Sequence, residues 1–399
     1  MAVDATLGIT DLVEALHARI ARTPTRLGGP VGLAVRSVTG HVYRAVRGVT
    51  IAVGGGLDAL LGQLAPLVDD VPDTPAREAL VAALNGVLGD YLERTGNPLA
   101  IAMRLRRDGV PLDLARDAIA ARIPHPSSTL VVAAHGLCMN DLQWSRAGHD
   151  HAEALARDLG GTAVYLHYNS GLHVSANGRE LATLLESLVE AWPVPVARIV
   201  VLGHSMGGLV ARSAAHLGGL AGHRWRAVLE SLVFLGTPHQ GSPLERGGHG
   251  LNELLDRLPF ATPFGRLGRV RSAGITDLRH GSVLDDDWKG RDRFARGAGG
   301  RHPLPLPLDV ACYAIAASPA AKAREDGRGV RGDGLVPVAS ALGLHADPRL
   351  ALAIPASHRW IATSTGHIEL LSSPDVYARL RGWLAGPADA GDPMRARSN

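Results

Sequence analysis

Lysine is almost missing from this chain of 399 residues: it stands only at positions 289 and 322, and the other basic residues are arginines. The 41 basic and 38 acidic side chains leave a formal charge of only +3. No Lys/Arg block of nucleic-acid-binding size occurs, so nucleic acid is not an expected partner. Cysteine is scarce as well. Cys138 and Cys312 cannot make a disulfide framework or, by themselves, a zinc site. Each lies in or beside an apolar run, where a cysteine acts as a small buried hydrophobe. No uninterrupted apolar run of about 18 residues is present, which excludes an expected transmembrane helix. Met1 to Thr10 lacks the basic and apolar regions of a secretory signal, so a cytoplasmic location is expected.

What is present is enough for a large core: 46% of residues are hydrophobic and 20% are charged. The length predicts one large domain with insertions, or two domains. From residue 129 onward, apolar strands alternate with helical patterns. Strands are predicted at 129–134, 162–167, from 198 into Ser205, 231–235, 310–316 and 359–364. Helices are predicted at 147–159, 178–192, after Ser205, and at 374–384. Near-continuous apolar strands separated by helices predict a mostly parallel sheet covered on both faces.

Within that alternation, Gly203-His204-Ser205-Met206-Gly207 directly follows the apolar run Arg198–Leu202 and precedes an apolar helical pattern. A G-x-S-x-G segment between strand and helix is the pattern of a nucleophile elbow, with the serine exposed on a strained turn. Gly203 and Gly207 are explained by the crowding such a turn imposes. A serine hydroxyl needs a base within hydrogen-bond reach and an acid to orient that base. In hydrolases with this elbow they follow in the order acid, then histidine. Asp333, between Gly332 and Gly334, and His367, after the last strand, supply both. Each is predicted on the carboxyl rim of the sheet, where the sites of open α/β sheets gather. His358 and Asp309 fall at the starts of strands, the wrong edge. Two backbone N–H groups are needed for the oxyanion. They are assigned to Met206 and to Leu137, with His135 and Gly136 shaping the loop that carries Leu137.

These segments, together with Gly236-Thr237-Pro238-His239-Gln240-Gly241-Ser242, resemble the α/β-hydrolase superfamily. The branch they look most like is the bacterial triacylglycerol-lipase-like and inositol-deacylase-like esterases. The resemblance covers about residues 126–385 and implies an α/β-hydrolase fold, a Ser–His–Asp mechanism through an acyl-enzyme, and a cap over the carboxyl edge. It needs no cofactor. His239 precedes Asp333 in the chain and is given a pocket-shaping role rather than that of a second base. His149 and His151 are expected on different faces of a helix, solvated, and no metal is expected.

The division predicted is a helical region over 1–125, a hydrolase domain over 126–387 with a cap insertion at about 243–308, and a flexible tail over 388–399. A helix is expected to open at Thr74-Pro75. Leu12, Val13, Leu16 and Ile20 follow a capping box at Asp11 and Glu14. Val31, Val35, Val38, Val42, Val46 and Val49 make a stripe opposite Arg36, Arg44 and Arg47. Such a face can lie on an anionic membrane surface or pack on its own protein. The expected activity is that of a serine ester hydrolase on a small-molecule or lipid ester, with medium or long acyl chains preferred over acetate. An acyltransferase, thioesterase or amidase on the same triad is the alternative, because the triad does not choose the acceptor. A non-catalytic binding module on this fold stands last.

Overall fold

The computed structural model describes residues 74–242, 272–290, 301–321 and 332–385. The predicted helix at 11–20, the valine stripe, most of the cap and the tail lie outside the described residues.

The first described helix, α1 (Pro75–Arg94), starts where the sequence predicts. Thr74 Oγ1 accepts the Arg77 N–H at 3.3 Å and Pro75 opens the helix. Such a cap contributes about 1 kcal/mol. Two short strands follow, β1 (Arg104–Arg107) and β2 (Val110–Pro111), then a short helix α2 (Arg116–Arg122). The chain then alternates through β3 (Thr129–Ala134), α3 (His151–Asp158), β4 (Thr162–His167), α4 (Val174–Ala191), β5 (Arg198–His204), α5 (Met206–Leu220) and β6 (Leu229–Leu235). After α6 (Ala273–His280) come β7 (Ala311–Ala317), α7 (Val338–Ala341), β8 (Arg359–Ala362) and α8 (Pro374–Leu384).

Among the described residues the eight strands form one sheet in the order β2-β1-β4-β3-β5-β6-β7-β8. β3 through β8 are parallel, in register through pairs such as Val131–Val200, Leu202–Val233, Leu232–Cys312 and Ile315–Trp360. β1 runs antiparallel to β4, and β2 antiparallel to β1. From β3 the chain steps one way to β4, then the other way to β5. Right-handed crossovers therefore place α3 on one face, and α4 with α5 on the other. α4 packs on α5 and α3 on α8, so both faces are covered. Buried on both sides, β3 to β7 are almost wholly apolar, which is why they read as continuous hydrophobic runs. The architecture is the α/β fold expected.

Three local differences have physical reasons. The sequence reading has no strand before residue 129, but β1 and β2 extend the sheet. β1 reads Arg-Leu-Arg-Arg, with charge masking its single apolar residue, and is held by pairing with β4. Helix α3 begins at His151 rather than 147, because Asp150 caps it by accepting the Ala152 and Glu153 N–H groups. His149 and His151 are consequently not on opposite faces of one helix. His149 precedes the helix, and their rings meet with Nε2 to Nδ1 at 2.8 Å; His151 is fully buried. Third, α4 starts four residues before the predicted 178, where the Asp277 carboxylate accepts the Val174 N–H at 2.8 Å. Both cysteines are buried free thiols, each pushed up to about 12 by burial.

Candidate active site

The strand β5 ends at His204 and α5 begins at Met206, leaving Ser205 alone in the turn with φ 52° and ψ −120°. A left-handed backbone at a non-glycine residue is strained and persists only where its surroundings fix it. Here the Ser205 N–H donates to the Leu235 carbonyl at 2.8 Å, tying the turn to the end of β6. Gly207 has no room for a side chain: a Cβ there would press on the Ala134 carbonyl and lie 2.6 Å from the His135 oxygen. Gly203 is crowded in the same way by Gly208. Both elbow glycines are thus set by close approach of backbone, as their spacing suggested.

Asp333 and His367 lie side by side. His367 Nδ1–H donates to Asp333 Oδ2 at 2.8 Å, and both side chains are buried. The other carboxylate oxygen accepts the N–H groups of Leu335 and Val336 at 2.9 and 2.8 Å, so the turn itself fixes the acid. Burial works to raise the Asp333 pKa. The charge and hydrogen bond of His367, with the two backbone donors, outweigh it and hold the carboxyl below its ordinary value. His367 is fixed from a second side. His204 Nε2–H donates to the His367 carbonyl at 3.1 Å, with the rings 4.9 Å apart. His204 is buried beside Ser205, and burial lowers its pKa to about 3, so it stays neutral. The rival histidine, His358, bonds the Cys312 carbonyl at the start of β8; Asp309 pairs with Arg226.

The loop after β3 meets the elbow. A Cβ on Gly136 would lie 3.1 Å from Ser205 Cβ and from His204 Nδ1. His135 lies fully buried, stacked on Tyr168 with centroids 4.3 Å apart. Its Nδ1–H donates to the Gly136 carbonyl at 2.9 Å, and Tyr168 Oη donates to the His135 carbonyl at 2.8 Å. Burial lowers the His135 pKa to about 3, so this ring too is neutral. Leu137 is buried, and neither its N–H nor that of Met206 has a hydrogen-bond acceptor among the described residues. Tyr168 was not singled out from sequence. Its position one residue past β4 on the carboxyl rim is the signal that could have found it.

His239 is buried away from these contacts. Its ring meets Phe234 edge-on at 4.5 Å, and its carbonyl accepts from Arg301. Among the described residues, no group of three or more His, Cys, Asp or Glu side chains is gathered to hold a metal. Likewise no described helix is long and apolar enough to cross a membrane.

Comparison with known proteins places these features in a family context. No curated protein matches the sequence. The chain is similar to the mature lipase BlEst2 of Bacillus licheniformis, with 16% identity over 70% of this chain and 96% of that one, at a TM-score of 0.40. It is also similar to the Pyrococcus furiosus esterase PF2001, with 15% identity over 64% and 80% of the two chains and a TM-score of 0.37. The Legionella pneumophila phospholipase PlaB shares 16% identity over 53% and 45%, with a TM-score of 0.34. Likenesses this distant say nothing about substrate. Residues 127–302 match the family model of the PGAP1-like alpha/beta domain, which spans β3 through α6 and holds the elbow and the Leu137 loop. Residues 127–302 are thus similar to the PGAP1-like alpha/beta domain, in keeping with the α/β architecture of the sheet and its helices.

Proposed function

We propose that this protein is a serine carboxylic-ester hydrolase acting on lipophilic acyl esters. The observation that carries the reading is the buried Asp333–His367 pair at 2.8 Å, on the sheet rim where Ser205 stands in a strained turn. In this reading Ser205 Oγ attacks the ester carbonyl while His367 Nε2 takes its proton. Asp333 keeps the Nδ1–H tautomer that leaves Nε2 free to act as base. The Leu137 and Met206 N–H groups bind the oxyanion as the tetrahedral intermediate forms. His367 then protonates the departing alcohol. Water, activated by the same imidazole, releases the acid from the acyl-enzyme and restores Ser205. No cofactor takes part.

Support for an apolar substrate comes from the rim. Met206, whose N–H is the assigned donor, has its methyl group against α6, where a Cβ on Gly274 would lie 3.1 Å from Met206 Cε. That helix belongs to the insertion assigned as the cap. The test is a panel of p-nitrophenyl esters with wild type and Ser205→Ala, together with labelling by a fluorophosphonate. Turnover and labelling should both vanish in the variant; wild-type rates in Ser205→Ala would refute the assignment.

A further inference from the structure

Glycine weakens a helix interior, because it gives up the most backbone freedom on folding. Yet α1 carries Gly86 and Gly89 in its buried middle. Neither has space for a methyl group. A Cβ on Gly86 would lie 2.8 Å from both Cα and N of Cys138, with Cys138 Sγ closer still. A Cβ on Gly89 would lie 2.7 Å from Asn169 Cγ. These are loop residues of the carboxyl rim: Cys138 follows Leu137, and Asn169 lies just past β4. The contact is bonded as well as close. Asn169 Nδ2 donates to the Gly89 carbonyl at 3.0 Å, and the Cys138 N–H donates to Ser170 Oγ at 3.0 Å. On the α6 side, Ser272 Oγ donates to the Gly86 carbonyl at 2.6 Å.

A second grip lies at the far end of the same loop. Arg106 on β1 is buried, and its Nη1 lies 2.9 Å from Glu78 Oε2 of α1 and 3.2 Å from Asp141 Oδ1. Asp141 Oδ1 is also 3.0 Å from His167 Nδ1 at the end of β4. The loop from His135 to Asp141 is thus held at Cys138 by Gly86 and at Asp141 through Arg106 by Glu78. Leu137 stands immediately before the first of these points. On its other side Gly136 touches Ser205, while Cys138 takes the left-handed backbone, φ 60°, that turns the chain into Gly86.

We propose that α1 is a clamp on the oxyanion loop, with Gly86 and Glu78 as positioning residues that set the Leu137 N–H relative to Ser205. The proposal rests on the reading of Ser205 as nucleophile and Leu137 as oxyanion donor. A helix N-terminal to the matched domain then takes part in the chemistry of that domain through backbone placement rather than by touching substrate. Moving it by a few tenths of an ångström shifts the donor the transition state needs, and leaves the ground-state pocket little changed.

The test uses the full chain, p-nitrophenyl butyrate, and an alkyl boronic acid whose serine adduct puts an oxygen where the oxyanion forms. In Gly86→Ala, kcat and boronic acid affinity should fall together by about tenfold, as for an interaction made only in the transition state, with KM within about twofold. Glu78→Gln, at a partly exposed position, should move both in the same direction by a smaller factor, and it decides the matter if Gly86→Ala does not fold. Adding Cys138→Gly to Gly86→Ala removes the opposing sulfur but leaves the backbone contacts at Cys138 Cα and N, and should restore only part of the loss. Wild-type kcat and boronic acid affinity in folded Gly86→Ala, or in Glu78→Gln when only that variant folds, would overturn the clamp while leaving the hydrolase reading intact. Wild-type protein without turnover or labelling at Ser205 would overturn both.

Discussion

Gly136 rests on Ser205: a methyl group on the first would stand 3.1 Å from the Cβ of the second. The loop that carries the assigned oxyanion donor therefore lies against the residue proposed as nucleophile. Only the backbone N–H of Leu137 is needed in that role. Leu137→Pro, which deletes it, should lower kcat by about 10²–10³, the usual loss for one such donor. Leu137→Ala keeps the N–H and should retain most of kcat. Steady-state kinetics on one ester compare the two, and equal rates in both variants would remove Leu137 from the site.

Asp333→Asn preserves shape but offers an amide where His367 needs an acceptor for Nδ1–H. The imidazole then favours the tautomer that cannot take the serine proton. A fall in kcat of about 10³–10⁴ with little change in KM is expected. A loss below tenfold would assign the acid to another carboxylate.

Acid should destabilise the fold well above the pH at which carboxylates protonate. His135 and His204 are buried and neutral, each with its pKa lowered to about 3 from 6.5. Below pH 6.5 the unfolded chain binds protons at these positions that the folded chain refuses, so stability falls as pH falls, until about pH 3. Each histidine contributes a loss on the order of 1 kcal/mol by pH 5.5. Asp333 acts in the same direction at lower pH: its folded pKa is depressed, so its stabilising contribution is present above the ordinary carboxylate range and is lost as pH falls through it. Urea unfolding at pH 7.5, 6.5 and 5.5 measures this. A midpoint that does not change over that range would mean that the two rings take up protons in the folded protein.

Acyl-chain preference tests the role of the insertion. With α6 packed on α1 and set against Met206, the proposed cap reaches the residue beside Ser205, so rates should rise from acetate toward medium or long chains. Profiling from acetate to palmitate gives the answer. A maximum at acetate that survives shortening of the insertion would assign those residues to stability alone.

How far the sequence could be read follows from how local each signal is. β3, β5 and β6 are buried on both faces, so their residues had to be continuously apolar and announced themselves. The elbow was equally plain, since Gly203 and Gly207 answer a steric demand set within a few residues. Asp333 and His367 could be placed because chain order and strand edge together left few rivals. β1 was hidden because Leu105 is its one apolar residue among arginines, and its strand state comes from pairing with Tyr165, Leu166 and His167. The grouping of Arg106, Asp141 and His167 had no sequence spacing to betray it, for each stands on a different element. The start of α3 was misjudged because a single side chain, Asp150, decides it.

The sheet order has a consequence for the birth of activity. Ser205 and the Leu137 loop belong to strands that pair at the centre, whereas Asp333 and His367 arrive only with β7 and β8, added after β6 at one flank. The β6–β7 pairing joins residues as far apart as Leu232 and Cys312, and non-local pairings of this kind form slowly. In the proposed reading, a chain that has assembled β3, β4, β5 and β6 would already possess its serine turn and still be inert, its hydroxyl unactivated. During refolding, reactivity toward a fluorophosphonate therefore serves as a clock for the docking of the last two strands, while the burial of Trp144, Trp192 and Trp225 reports the centre.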